Sequence, residues 1–139
     1  NALLQSLLKI NTLQQSLGRE FFDFLFLPIL NNSAISLNDK LATCVEYTAL
    51  QIAETLNTQA LHSVLITGGG AYNAFLIERL KYYYKGTIEI PSDEIIQFKE
   101  AIIFAYLGYL RLNEKTNTLN SVTKASRDSA GGAVYLGSK

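Results

Sequence analysis

The sequence predicts an α/β chain with helices packed on a small mixed sheet, and three features carry that reading: one strand-like run, one glycine turn and the helical patterns around them. Val64, Leu65 and Ile66 form a continuous apolar run of the length and β-branched character of a strand buried on both faces. Gly68, Gly69 and Gly70 follow almost at once, and Phe75, Leu76, Ile77 and Leu80 then recur at helical spacing. Ser63 to Asn73 therefore reads as strand, tight turn and helix start. Patterns on either side extend the order to helix, strand, helix, strand, helix.

Ala2 to Ile10 carries Leu3, Leu4, Leu7 and Leu8 at helical spacing and predicts a short amphipathic helix. Asn11 to Ser16 reads as a polar connection. Gly18 to Leu30 is crowded with Phe21, Phe22, Phe24 and Phe26, and periodicity alone leaves helix and strand both open there. Asn31 to Asn38 reads as a loop that ends in a variant capping box, Ser36 with Asp39 three residues on. Leu41, Val45, Thr48, Ile52 and Leu56 then mark the apolar face of a long helix, widened by Ala42, Ala49 and Ala53. Glu46, Gln51 and Glu54 read as its solvated side. Tyr82, Tyr83 and Tyr84 predict a helix end with partly buried rings, and Thr87 to Ile90 a short strand stopped by Pro91. Phe98, Ala101, Ile102, Ala105, Tyr106, Tyr109 and Leu112 mark another long helix. Asn113 to Asn120 is loop-like, and Gly132 to Leu136 is expected to form a last edge strand.

Composition narrows the function classes. The 139 residues fit a single domain, 1–139, large enough to bury most of its apolar surface. Hydrophobic residues at 48% and charged residues at 17% argue against intrinsic disorder. Twelve Lys and Arg balance twelve Asp and Glu, so no nucleic acid or acidic membrane is expected as partner. No apolar stretch reaches the length of a membrane span. Cys44 is alone, which rules out an intrachain disulfide, fits a reducing cytoplasm and, within a helical pattern, suggests a small core residue. His62 is the only histidine, so no imidazole metal site is expected. The chain begins at Asn1 with no signal-peptide succession, and a fragment of a longer protein is expected.

The glycine turn is where chemistry is sought. Glycines can take φ > 0 and let a ligand approach the main chain, and a following helix offers free N–H groups and a positive dipole end to an anion. A nucleotide suits such a turn. The bland alternative is a tight connection with Asn73 as a helix cap. A triphosphatase loop needs Gly-Lys-Ser/Thr at the helix start, and this chain has Gly-Ala-Tyr there. The dinucleotide fingerprint fits Gly68 and Gly70, with Glu89 near the distance of a ribose-binding acid, but its third small residue is replaced by Asn73.

Ile66-Thr-Gly-Gly-Gly-Ala-Tyr-Asn73 followed by Phe75-Leu-Ile-Glu-Arg-Leu80 resembles the adenosine motif of actin-like sugar kinases, most closely the anhydro-N-acetylmuramic acid kinases. Ser16-Leu-Gly-Arg-Glu-Phe21, Ala49-Leu-Gln-Ile-Ala53, Glu100-Ala-Ile-Ile-Phe-Ala105 and Ser121-Val-Thr-Lys-Ala125 follow the family's order. The resemblance implies the C-terminal lobe of an actin-like ATPase/sugar kinase fold and a helical reading of Gly18 to Leu30. It implies ATP as cofactor, bound by Gly68, Gly69, Gly70 and Asn73, with Mg2+ held by the ATP phosphates. It further implies an amino-sugar substrate whose anhydro ring is opened and phosphorylated in cell-wall recycling, with Glu100 as an assisting carboxylate on the sugar side. A helix-dipole role for Glu100 is the competing reading.

The family's first phosphate turn and its Asp-Thr-Gly-Pro-Gly-Asn segment with the catalytic aspartate have no counterpart in this chain. A partial enzyme, inactive alone, is therefore expected, with the upstream N-terminal lobe as partner and a homodimer as a further possibility. In the related kinases Ser-Val-Thr is followed by Gly-Ala, whereas this chain has Lys124-Ala125. A stand-alone dinucleotide-binding domain and a noncatalytic interaction domain are the other classes.

Overall fold

A computed structural model describes residues 2–10 and 18–135, which form two compact units, 1–91 and 92–139. The expected polar connection 11–16, the start of the block Ser16 to Phe21 and Leu136 lie outside the described residues.

In the first unit, α1 (Ala2–Leu7) turns Leu3 and Leu7 inward, where they form a cluster with Tyr47 and with Leu4, Ile10, Phe26, Ile29 and Leu30. Burying a leucine such as Leu7 stabilises by about 1.5–3 kcal/mol. The aromatic segment is helical throughout: α2 (Arg19–Phe21), a π-helical turn (Phe22–Phe26) and α3 (Leu27–Asn32) run on without a break. Pro28 explains the widened turn. It has no N–H to donate and its ring crowds the carbonyl one turn back, while the Leu27 N–H reaches the carbonyl of Phe22. The expected loop accordingly begins only after Asn32.

Ser36 caps α4 (Leu37–Thr58) as its spacing predicts, accepting the Asp39 N–H at 3.2 Å while its hydroxyl donates to the Asp39 carboxylate at 2.7 Å. The inward face of α4 agrees with the periodic reading at Ala49 and Ala53 and departs from it elsewhere. Thr43, Tyr47, Ala49 and Ala53 are buried, Leu41 and Ile52 are exposed, and Glu46 is turned toward α5. Ala49 and Ala53 on α4 and Ile77 and Leu80 on α5 (Ala74–Tyr83) are all buried where the two helices pack. Asn57 fastens the far end of α4, donating to the Tyr83 carbonyl and accepting the Lys85 N–H. The tyrosines split as expected of a helix end: Tyr82 is exposed, Tyr83 half-buried, and Tyr84 buried with its hydroxyl on the Leu61 carbonyl. Cys44 is half-buried, and burial pushes its thiol pKa up, in keeping with a packing residue.

β1 (Ser63–Leu65) and β2 (Thr87–Glu89) make a two-stranded sheet joined through α5. The class is α/β as expected, but the sheet is parallel rather than mixed, because a helical crossover returns β2 in the direction of β1. Val64 lies opposite Ile88, both half-buried.

The second unit holds α6 (Asp93–Leu112) and α7 (Asn120–Thr123). Asp93 and Glu94 sit in the first turn of α6, where carboxylates favour the dipole, and Arg111 in the last. The Asn117 side chain gathers the loop beyond it, donating to the carbonyls of Leu107 and Gly131 and accepting the Gly131 N–H at 2.7 Å. The expected edge strand at 132–136 is absent from residues 132–135. Gly132 has φ +98°, which no strand accommodates, and the backbone pairing falls instead on an antiparallel bridge between Thr118 and Ser129.

Candidate functional site: a glycine turn at the end of β1

The ladder fixes where the turn begins: the Ile66 N–H donates to the Glu89 carbonyl at 2.9 Å, just before Thr67 and the glycines. Gly68 then takes φ +80° and ψ 179°, a combination essentially reserved to glycine. A single 3-10 turn, Gly69–Tyr72, follows, closed by Ala71 N–H to the Gly68 carbonyl at 3.0 Å and Asn73 N–H to the Gly70 carbonyl at 3.1 Å. Ala71 is buried and anchors this turn. Asn73 is the N-cap of α5, its side-chain oxygen accepting the Leu76 N–H at 3.1 Å.

The four residues singled out from the sequence, Gly68, Gly69, Gly70 and Asn73, thus share one compact turn, with different duties. Only Gly68 needs φ > 0. A Cβ at Gly68 or Gly69 would meet nothing within 4 Å, and one at Gly70 would make an ordinary 3.8 Å contact with Leu76. The turn therefore opens onto free space. The N–H groups of Gly69 and Gly70 precede the first closed turn and have no partner among the described residues. With Leu76 capped, the Ala74 and Phe75 N–H groups at the start of α5 have no partner among the described residues. Such an arrangement accepts an oxygen-rich, flat or anionic group close to the main chain.

A feature that the sequence reading missed ties α5, the helix after this turn, to α4. Arg79 on α5 pairs with Glu46 on α4, its Nε 2.5 Å from one carboxylate oxygen and its Nη2 2.9 Å from the other. The Tyr83 hydroxyl donates to the same carboxylate and accepts from Arg79 at 3.1 Å. The guanidinium also lies over the Tyr82 ring, 4.6 Å from its centroid. Hydrogen bonding to Arg79 holds the Glu46 carboxyl below the usual carboxylate range, and the Glu46 contact pushes the Arg79 and Tyr83 pKa values up. Nothing local marks a partner 33 residues away, so the sequence pattern alone puts Glu46 on the solvated face. The spacing of Arg79 and Tyr83, one turn apart, was the only local signal.

Glu100 belongs to the other compact unit, on α6, where it is exposed and has no hydrogen bond or ion pair among the described residues. It stands two turns inside the helix, since α6 starts at Asp93. A dipole role is thereby removed, because that effect fades within the first turn. Among the described residues no group of three His, Cys, Asp or Glu side chains could hold a metal, and no helix is long and apolar enough to cross a membrane.

A family model described as "Anhydro-N-acetylmuramic acid kinase" matches residues 1–137. Curated relatives of that name agree. The protein of Hahella chejuensis is 36% identical over 126 residues, covering 87% of this chain and 34% of the relative. That of Coxiella burnetii is 35% identical, covering 90% and 35%, and that of Synechocystis 33% identical, covering 88% and 35%. The chain spans about a third of the length of these relatives.

Proposed function

The chain belongs to the anhydro-N-acetylmuramic acid kinase family, sugar kinases of the actin-like ATPase type, and from that premise we propose that its glycine turn is the adenosine side of an ATP site. The observation that carries the proposal is the open space over Gly68 and Gly69 together with the unpartnered N–H groups of Gly69 and Gly70. ATP would lie against these glycines, with Asn73 keeping the start of α5 capped beside it. ATP with its magnesium supplies the transferable phosphoryl group, and the metal would be held by the phosphates and by residues outside this chain.

The whole reaction is ring-opening hydrolysis of a 1,6-anhydro amino sugar coupled to its phosphorylation, in cytoplasmic recycling of cell-wall fragments. Glu100 would serve on the sugar side, orienting or deprotonating water together with an aspartate from the remainder of the polypeptide. The chain, one partial domain in this reading, does not turn over alone, because phosphoryl transfer depends on positioning ATP, metal and nucleophile together, and neither phosphate turn is in its sequence. Half a site binds ATP only in the millimolar range, about −4 kcal/mol.

Amide chemical shifts followed during titration with ATP, ADP and NAD test the proposal. Shifts at Gly69, Gly70 and Asn73 with ATP and ADP support it. A preference for NAD would instead make this a dinucleotide-binding domain, and shifts that avoid the turn altogether would leave a noncatalytic interaction domain. A coupled ADP-release assay with the anhydro sugar, on this chain with and without the remaining polypeptide, tests the catalytic half. Robust turnover by the chain alone would defeat it.

A further inference from the structure

In the second unit the end of α6 and the returning tail line a cleft of about 600 Å³, with Phe104, Gly108 and Arg111 on the helix and Gly131, Gly132 and Val134 on the tail. Its walls are bare where glycines stand. A Cβ at Gly108 would meet nothing within 4 Å, although the residue lies inside a helix, and Gly132 takes φ +98°. Asn117 fixes the tail, because both ends of its side-chain amide bond Gly131.

Arg111 alone is charged among the described residues that line the cleft. Its Nε donates to the Gly132 carbonyl at 2.8 Å, and its Cγ lies 3.8 Å from the place that a Cβ would take at Gly132. The half-buried guanidinium is thereby oriented by one N–H, while Nη1 and Nη2 have no hydrogen bond or ion pair among the described residues. Arg79, half-buried as well, is met by Glu46 and Tyr83. Nor is Arg111 occupied in closing its own helix. The carbonyls of Leu107, Tyr109, Leu110 and Arg111 are taken by the Asn117 side chain and by the N–H groups of Asn113, Lys115 and Glu114.

We propose that this cleft binds a small organic acid, its carboxylate on the free Nη1 and Nη2 edge of Arg111 and its apolar body over Gly108, against Phe104 and Val134. That edge of the guanidinium offers two parallel N–H donors, the match for a planar carboxylate. The apolar walls select a body without further charge. Glu100 stands three turns back along α6, about 16 Å at about 1.5 Å per residue, so one small acid does not span both. The inference does not depend on the nucleotide reading, since the cleft lies within 92–139 and the glycine turn within 1–91.

Titration of the full chain with hydrocinnamate, followed at the Gly131 and Gly132 amides and at the Arg111 Nε–H, tests this without nucleotide. Saturable shifts are expected at these groups and none at Gly68 to Asn73. Arg111→Gln weakens binding by about tenfold or more, and Arg111→Lys, which keeps the charge without the fork, by a smaller factor. Gly108→Leu weakens it as much as Arg111→Gln by filling the cleft, and it keeps the fold, because leucine is the better helix residue and its Cβ meets no neighbour there. Arg127→Gln, at an exposed arginine outside the cleft, leaves binding unchanged. Equal binding of hydrocinnamide would overturn the proposal, since the charge would then not be read. Equal shifts with inorganic phosphate would do so too, leaving Arg111 an unselective surface cation, as would the absence of saturable binding below about 10 mM. Shifts that follow protein concentration without acid would give the cleft to a second copy. Loss of binding on co-expression with the rest of the kinase polypeptide would give it to that polypeptide, and either result would overturn the proposal.

Discussion

Gly68 and Lys124 both hold a turn at positive φ, and the two turns solve the problem differently. At the end of β1, Gly68 takes φ +80° and ψ 179°, a region that a side chain all but forbids. After α7, Lys124 takes φ +60° and ψ 17°, the left-handed conformation that a non-glycine residue reaches at a cost of about 1–2 kcal/mol. The first turn has the residue that its backbone requires; the second carries a lysine where the resembled kinases have glycine. The comparison teaches which glycines the fold itself demands. Gly68 is demanded, whereas Gly69 has neither a positive φ nor a neighbour that a Cβ would strike, so the fold itself does not require it.

The largest expected effect comes from breaking the ion pair that ties α5, the helix after the first turn, to α4. Arg79→Ala leaves the Glu46 carboxylate without its cation in a half-buried setting, and the loss is about 2–3 kcal/mol, discounted from a fully buried pair for the partial exposure of both side chains. Denaturant unfolding measures it. The same pair predicts an acid limb. The Glu46 pKa is lowered in the folded state, so its contribution is complete above the ordinary glutamate value of about 4.3 and is lost as pH falls through the depressed folded value. Glu46→Gln should flatten that limb; an unchanged limb would mean that other carboxylates set it.

Next in size is Gly68→Ala, with a cost of about 1–3 kcal/mol from backbone strain alone, since nothing stands within 4 Å of the added methyl. Gly69→Val is its partner experiment. Without strain or a clash to relieve, it should change stability by no more than about 0.5 kcal/mol. ATP-induced shifts should vanish, because the branched side chain fills the space over the turn. If Gly69→Val destabilised as much as Gly68→Ala, the two glycines would share a structural duty and the ligand reading would lose its main support.

What could be read in the sequence, and what could not, follows the range of the interactions. The strand, the glycine turn, the Ser36 cap and the α/β class all rest on residues a few positions apart. The inward face of α4 was misjudged for the opposite reason. Leu41 and Ile52 have the right spacing for a core face, yet beside the expected Ala49 and Ala53 the buried positions are Thr43 and Tyr47, chosen by helices far off in sequence. The Glu46–Arg79 pair was invisible on the same ground, since two charges on separate helices have no local signature. The strand sought at 132–136 is absent at 132–135, where Gly132 takes a positive φ and the pairing falls on Thr118 and Ser129. The four turn residues of the site were legible as a group; their unequal roles required the backbone angles.

The smallest effect sharpens the comparison from its other side. Lys124→Gly removes the left-handed strain but gives the unfolded chain more freedom, and the two together leave a net gain of about 0.5–1 kcal/mol. Little else is lost, because the Lys124 ammonium makes only an exposed 3.3 Å contact with the Ser121 carbonyl, and the Lys124 N–H to the Asn120 carbonyl, 2.8 Å, is kept by any residue. The gain is local, so it should be read where the turn is tied down, at the Asn120 amide that donates to Asp128 at 2.7 Å. Its exchange should slow by about two- to fivefold in Lys124→Gly, with Asn, which tolerates the left-handed region, falling between lysine and glycine. If the asparagine variant matched lysine while glycine stabilised, the cost at this turn would come from the side chain's surroundings and not from its φ. If neither variant slowed exchange, the turn would not carry the strain assigned to it, and Gly68 would stand as the single position in the comparison where the backbone dictates the residue.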